Sequence, residues 1–162
     1  MIIPDVNLLL YAEIDAYEQH AAARSWWEQT LNGEEVVALP AVALFGFVRI
    51  ATNRRIFDDP LPLNDALGRI ETWLDRQNVM FLVPGPRYLD IAFNLLRSLG
   101  VANNLTTDAQ LAAHAIENQA ELHSNDLELR TLRRAPMAQS VGSLALRPVS
   151  QTWGEQSLRA MK

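Results

Sequence analysis

Four short apolar runs, at residues 1–6, 35–39, 79–83 and 120–123, are separated by longer segments whose apolar residues recur at helical spacing. Each run is too short for a helix and ends in polar or turn-forming residues, so each predicts a buried strand. The segments between predict helices over 8–16, with Asn7 as its cap, and over 20–31, ending before Asn32-Gly33. Further helices are expected over 40–52, apolar almost all round and therefore buried, and over 64–76. The next is expected over 86–99, with Pro86 in its first position, Leu89, Ala92, Phe93, Leu96 and Leu99 on its core face, and Gly100 as its stop. A last helix is expected over 106–118, and a fifth strand over 144–149. Strands alternating with helices predict an α/β domain whose central, mainly parallel sheet lies between helices. In such sheets ligands bind beyond the carboxyl ends of the strands.

Composition narrows the chemistry. With 162 residues, 49% of them apolar, the chain can build one domain with a full core. It has no cysteine, which excludes disulfides, a thiol nucleophile and thiolate zinc sites. His20, His114 and His123 form no His-Glu-x-x-His pair, against a zinc hydrolase. Lys162 is the only lysine. That removes a haloacid-dehalogenase-type phosphatase and a response-regulator receiver, both of which need a lysine beside their acidic pocket. No Gly-rich dinucleotide fingerprint, phosphate-binding Gly-Lys or Gly-x-Ser-x-Gly elbow is present. The longest apolar run, 36–48, is broken by Pro40 and Gly46 and falls short of the roughly 18 residues that span a bilayer. The first residues carry Pro4, Asp5 and Glu13 and no basic segment, unlike a signal peptide, so a cytoplasmic protein without a membrane partner is expected. Residues 1–128 carry eight arginines against eighteen acids, whereas residues 129–162 have a balance of +5. A basic end on an acidic body suits an anionic partner, an intramolecular cover or simple solvation.

Three acids fall where this topology brings strand ends together. Asp5 closes the first strand. Asp108 stands at the start of the last helix, where Thr107 and Gln110 match a capping box that puts Asp108 in the first helical position. Asp126 follows the fourth strand in Ser124-Asn125-Asp126. Singly, each reads as a turn or helix-dipole residue. Jointly they form a carboxylate cluster that needs a cation. Oxygen donors without sulfur select Mg²⁺, with Mn²⁺ as a substitute. Such an ion activates water and stabilises in-line displacement at phosphorus.

The chain resembles the PIN-domain ribonucleases and, among them, the VapC toxins of bacterial toxin–antitoxin pairs. The resemblance rests on Ile3-Pro4-Asp5-Val6-Asn7-Leu8-Leu9-Leu10-Tyr11 and Phe45-Gly46-Phe47-Val48-Arg49-Ile50-Ala51-Thr52-Asn53. It rests also on Leu105-Thr106-Thr107-Asp108-Ala109-Gln110 and His123-Ser124-Asn125-Asp126, in that order. It spans roughly residues 1–130 and leaves 131–162 as a basic C-terminal extension. It implies a three-layer PIN-like domain and a Mg²⁺-dependent endoribonuclease acting on tRNA or another structured RNA. It further implies a cognate antitoxin lying across the active-site groove, and a homodimer. By position it assigns Asp5, Asp108 and Asp126 as metal-holding catalytic acids, with Asn7 in support of the first. Many family members carry a fourth acid where this chain has Gly46, and the aspartate usual two residues after Asp126 is Glu128 here. The loss of an acid at Gly46 predicts weaker metal affinity, or one ion in place of two. A PIN fold that binds RNA or protein without cleaving is the alternative.

Arg49, Arg54 and Arg87 are the candidate RNA contacts, although an arginine on the apolar helix over 40–52 reads first as internally paired. Trp26, Trp27, Trp73 and Tyr11 can stack bases but read first as core or interface. His20 and His114 read as structural, and His123 is the one histidine near enough to Asp126 for proton transfer.

Overall fold

Every residue of Ile2–Pro4 is buried, as a strand inside a parallel sheet with both faces covered requires. The computed structural model describes residues 1–100, 105–125 and 144–148. In these residues the chain runs β1 (Ile2–Pro4), α1 (Val6–Glu13), α2 (His20–Leu31), β2 (Val37–Pro40), α3 (Ala41–Ala51), α4 (Leu63–Leu74), β3 (Val79–Leu82), α5 (Tyr88–Leu99), α6 (Leu105–Asn118), β4 (Glu121–Ser124) and β5 (Ala145–Pro148). All five strands are parallel, in the order β3-β2-β1-β4-β5. Right-handed crossovers place α1 to α4, which carry the chain from β1 to β2 to β3, over one face. They place α5 and α6, which return it across the sheet to β4, over the other. The packing agrees, since α1 meets α2 and α3, α3 meets α4, and α5 meets α6. This is the three-layer α/β domain expected.

Leu8, Leu9 and Leu10 are fully buried beneath the first helical layer. Trp27 of α2 meets Trp73 of α4 edge-on with ring centres 5.5 Å apart, and Phe47 of α3 meets Trp73 at 5.1 Å. The tryptophans are thus core, as their helical spacing suggested. Gly46 has an equally local reason. A Cβ there would lie 2.8 Å from Cγ2 of Val6, so glycine lets α3 approach the start of α1. Gly46→Ala should destabilise by about 1–3 kcal/mol through overpacking, offset by about 1 kcal/mol of helix propensity. In a Val6→Ala background the same substitution should cost clearly less, which urea unfolding of the double-mutant cycle measures.

Several local expectations are corrected. Asn7 is not the cap residue: α1 begins at Val6, Asp5 occupies the cap position, and the helix ends at Glu13 rather than at residue 16. Two residues separate Pro86 from its expected role, because α5 starts at Tyr88. Leu89 and Phe93 of that helix are exposed, since Tyr88, Ile91, Ala92 and Leu95 already fill its core face. Within the described residues α6 is helical from Leu105, so Asp108 lies inside its first turn. Thr107 and Gln110 do not form the expected capping box. The Gln110 amide donates to the Thr106 carbonyl at 3.2 Å and its oxygen accepts from the Tyr88 hydroxyl at 3.1 Å. Finally, α3 is not buried all round, because Phe45 and Arg49 face solvent.

Candidate active site

Asp5 is fixed at every backbone and side-chain position the fold offers. Its amide donates to the His123 carbonyl at 2.9 Å, continuing the β1–β4 ladder, while its own carbonyl accepts from the Leu8 and Leu9 amides at 3.1 and 3.4 Å. Its Oδ2 accepts the Ser124 hydroxyl at 2.8 Å. The residue is only 3% exposed. It therefore sits between the carboxyl ends of β1 and β4, whose adjoining helices, α1 after β1 and α6 before β4, lie over opposite faces of the sheet. That is the switch point where open α/β sheets bind ligands.

Asp108 reaches the same edge by a different route. The helix α6 runs back along the sheet into β4, so its first turn lies at the carboxyl end, and Asp108 is 8% exposed there. Thr107 beside it and Asn7 beside Asp5 are half-buried. Asp126 and Glu128 lie outside the described residues, as does most of 131–162. Among the described residues no three His, Asp or Glu side chains converge as a metal site. The described part of the donor set is thus two buried carboxylates. Buried oxygen anions without nitrogen or sulfur beside them fit a hard divalent cation such as Mg²⁺ or Mn²⁺.

His123 does not join these acids. Consecutive strand residues point to opposite faces, and Ser124 takes the side of Asp5. The His123 ring lies 5.9 Å from that of Trp26, and its Nε2 is 3.2 Å from Oε2 of Glu121. Burial lowers its pKa, opposed by Glu121. His114 is likewise buried, with the Tyr88 ring tilted 39° to its own at 4.4 Å between centres, and burial lowers its pKa against the pull of Glu117. Half-buried His20 bonds the Tyr11 carbonyl through Nδ1 at 2.9 Å. His20 and His114 are structural. For His114 and His123 the sign follows from the direction of the shift. Below the unfolded value near 6.5 the unfolded chain takes up protons that the folded chain refuses, so acidification destabilises. We expect a loss of up to about 1.4 kcal/mol per pH unit for each histidine. Denaturation at pH 7.5 and 5.5 should show a smaller loss in His114→Asn than in the wild type.

The candidate arginines separate. Arg87, between β3 and α5, lies at the level of Glu117, nine residues and about 14 Å along α6 from Asp108, and so away from the edge that holds Asp5. Nearby, Glu117 of α6 fixes the intervening turn by accepting from the amides of Gly85 at 3.0 Å and Arg87 at 2.7 Å. Arg49 is exposed rather than buried, with no ion-pair partner among the described residues. Arg54 stands beyond the end of α3, a helix about 16 Å long that carries the chain away from the acidic edge. It lines an open cavity of about 740 Å³ with Asp58 and Asp59. A smaller cavity of about 300 Å³, around Glu13, His20, Arg24 and Arg69, lies where α1 ends, also remote from Asp5. Ser124, which bonds Asp5, and Phe45, next to the Gly46 that meets Val6, escaped the sequence reading. Ser124 had a weak signal in its place after a strand. Phe45 had a stronger one, since 42, 45 and 49 share a helix face, but the apolar run hid it.

The chain is thus a parallel three-layer α/β domain with two buried acids at its switch point. The PIN domain model matches residues 2–135. Ribonuclease VapC33 of Mycobacterium tuberculosis is 53% identical over 128 residues, covering 79% of this chain and 90% of that protein. Ribonuclease VapC43 of the same organism is 39% identical over 135 residues, covering 83% and 91%. In fold the chain matches VapBC2 from Rickettsia felis, solved bound to a promoter DNA fragment, with a TM-score of 0.61 at 17% identity, covering 91% of this chain and 98% of that one. VapBC-1 from nontypeable Haemophilus influenzae gives the same TM-score of 0.61, also at 17% identity, covering 93% and 99%. The chain belongs to the PIN-domain family and, within it, to the VapC-type toxin ribonucleases. Among the described residues, no helix is long and apolar enough to cross a membrane.

Proposed function

We propose that this chain is the toxin of a type II toxin–antitoxin pair, a cytoplasmic endoribonuclease that hydrolyses phosphodiester bonds in structured RNA, tRNA first among them, with Mg²⁺. The observation that supports the proposal is the burial of two carboxylates, Asp5 after β1 and Asp108 in the first turn of α6, each placed by the topology at the carboxyl edge of a VapC-family sheet. Asp126, two residues beyond Ser124 by sequence count, is the third acid of the set. When bound, Mg²⁺ supplies an acidified water and neutralises charge gathering on the phosphoryl oxygens.

The chain's own residues do the rest. Asp5 and Asp108 hold the ion with Asp126, directly or through water. The Ser124 hydroxyl and the helix-start geometry fix the Asp5 carboxylate before substrate arrives, so little reorganisation is left for the reaction. Asn7 and Thr107 support the two acids from the adjoining helical turns. Arg49 meets a backbone phosphate, while Arg54 and Arg87, both away from the acidic edge, contact the RNA backbone outside the reacting phosphate. With Gly46 in the place of a fourth acid, metal is held more weakly than by a four-acid set. A cognate antitoxin fills the groove with a helix or extended segment, and the active toxin is a homodimer.

The test is incubation of the purified, antitoxin-free chain with end-labelled total tRNA in Mg²⁺, in Mn²⁺ and in EDTA. Discrete fragments that require metal support the proposal, and their ends identify the substrate. An intact RNA pool with either metal, from folded protein, favours a PIN fold that binds without cleaving.

A further inference from the structure

The helix α3 is apolar and mostly buried, yet its largest exposed side chain is an aromatic one: Phe45 is 70% exposed. One turn on, Arg49 is also exposed, with no ion-pair partner among the described residues. Residues i and i+4 lie on one helix face, so ring and guanidinium stand side by side. Their place relative to the acids follows from chain contiguity. Phe45 adjoins Gly46, whose missing Cβ would lie 2.8 Å from Val6 Cγ2, and Val6 directly follows Asp5. An exposed phenylalanine loses free energy to water and gains nothing for the core. On α5 the exposed Phe93 and Arg97 are spaced alike, but Arg97 bonds Asn94 Oδ1 at 3.0 Å, and it is α3 that packs on α1, the helix directly following Asp5.

We propose that Phe45 is a stacking platform for an unpaired base next to the scissile phosphate, and that Arg49 binds the phosphate of that nucleotide. The pair makes the enzyme select loops or single-stranded segments over duplex. The proposal rests on the ribonuclease reading above. The physical basis is general: an aromatic face accepts any base, and a planar guanidinium meets a phosphate in two-point geometry. Duplex RNA hides its bases and offers nothing for Phe45 to stack on. The acidic body leaves few cations at this edge, so each carries a large share of the attraction.

The test measures binding apart from turnover. In an Asp5→Asn background, affinity is measured for a fluorescent RNA hairpin with an unpaired loop and for a fully paired duplex of equal length. The hairpin should bind more tightly. Phe45→Ala should weaken hairpin binding about 10- to 100-fold and duplex binding little, and Phe45→Trp should restore it. Arg49→Gln should weaken both and reduce the salt dependence of log K by roughly 0.7. In the cleaving protein, Phe45→Ala should raise KM with little change in kcat. Hairpin binding unchanged in Phe45→Ala overturns the proposal. So does a drop in dimer mass by light scattering with RNA affinity intact, which would make the face a protein contact. Metal-dependent cleavage with an unaltered KM in Phe45→Ala would sink this proposal and keep the ribonuclease. Phe45-dependent RNA binding without cleavage by the wild type would do the reverse.

Discussion

Asp5→Asn should reduce RNA cleavage by on the order of 10³-fold or more, the scale on which loss of a single preorganised electrostatic contact acts, while leaving the protein folded. Asparagine keeps the shape of aspartate, and one side-chain atom can still accept the Ser124 hydroxyl that now bonds Oδ2. The backbone bonds to His123, Leu8 and Leu9 do not involve the side chain. What disappears is negative charge at a position only 3% exposed. A buried carboxylate is costly to the fold unless it is compensated, so the melting temperature should be unchanged or higher. Rising stability with vanishing activity marks a residue kept for chemistry. Asp108→Asn should behave alike. A purely architectural Asp5 would instead lose stability on substitution, with activity falling only in proportion to the unfolded fraction.

Trp27→Ala should destabilise by about 3–5 kcal/mol, the range for truncating a buried large aromatic, and leave little of the 5–15 kcal/mol typical of a domain. Trp27 is 2% exposed and touches Trp26 at 5.7 Å and Trp73 at 5.5 Å between ring centres, tying α2 to α4. Alanine leaves a cavity that three helices cannot close. Trp27→Phe should cost far less than its size change suggests. The indole Nε1 has no hydrogen-bond partner among the described residues, and removing it relieves a desolvation penalty of about 1–3 kcal/mol. Urea unfolding of both variants checks the contrast. Equal losses would mean that ring volume alone decides.

The sequence made the architecture legible because short buried strands and capped helices have different periods. All four apolar runs are strands, and the weak pattern over 144–149 is β5 at Ala145–Pro148. Local starts were harder. Asn7 has the chemistry of a cap, but Asp5 ends a ladder with β4 and already has the extended backbone a cap position needs, φ −70° and ψ 153°. Gln110 fits a capping box until Tyr88, distant in sequence, provides a hydroxyl for it. Tertiary partners won in both places. At the site, the shared edge of Asp5 and Asp108 could be deduced from topology, because a residue after a strand and a residue opening the helix that precedes a parallel strand reach the same end. The outward turn of Phe45 and Arg49 could not be deduced from hydropathy, since α3 is apolar on its exposed side as well. His123 turns toward Trp26 and Glu121, and nearness in sequence to Asp126 says nothing about which face of a strand a side chain takes.

The account stands on Asp5 and Asp108 sharing one divalent cation. Calorimetric titration of Mn²⁺ into the wild type, Asp5→Asn and Asp108→Asn tests this most directly. The account predicts saturable binding by the wild type that is lost in each variant separately, with all three proteins showing the same far-ultraviolet circular dichroism. Undiminished binding in either variant, or none in the folded wild type, would contradict it.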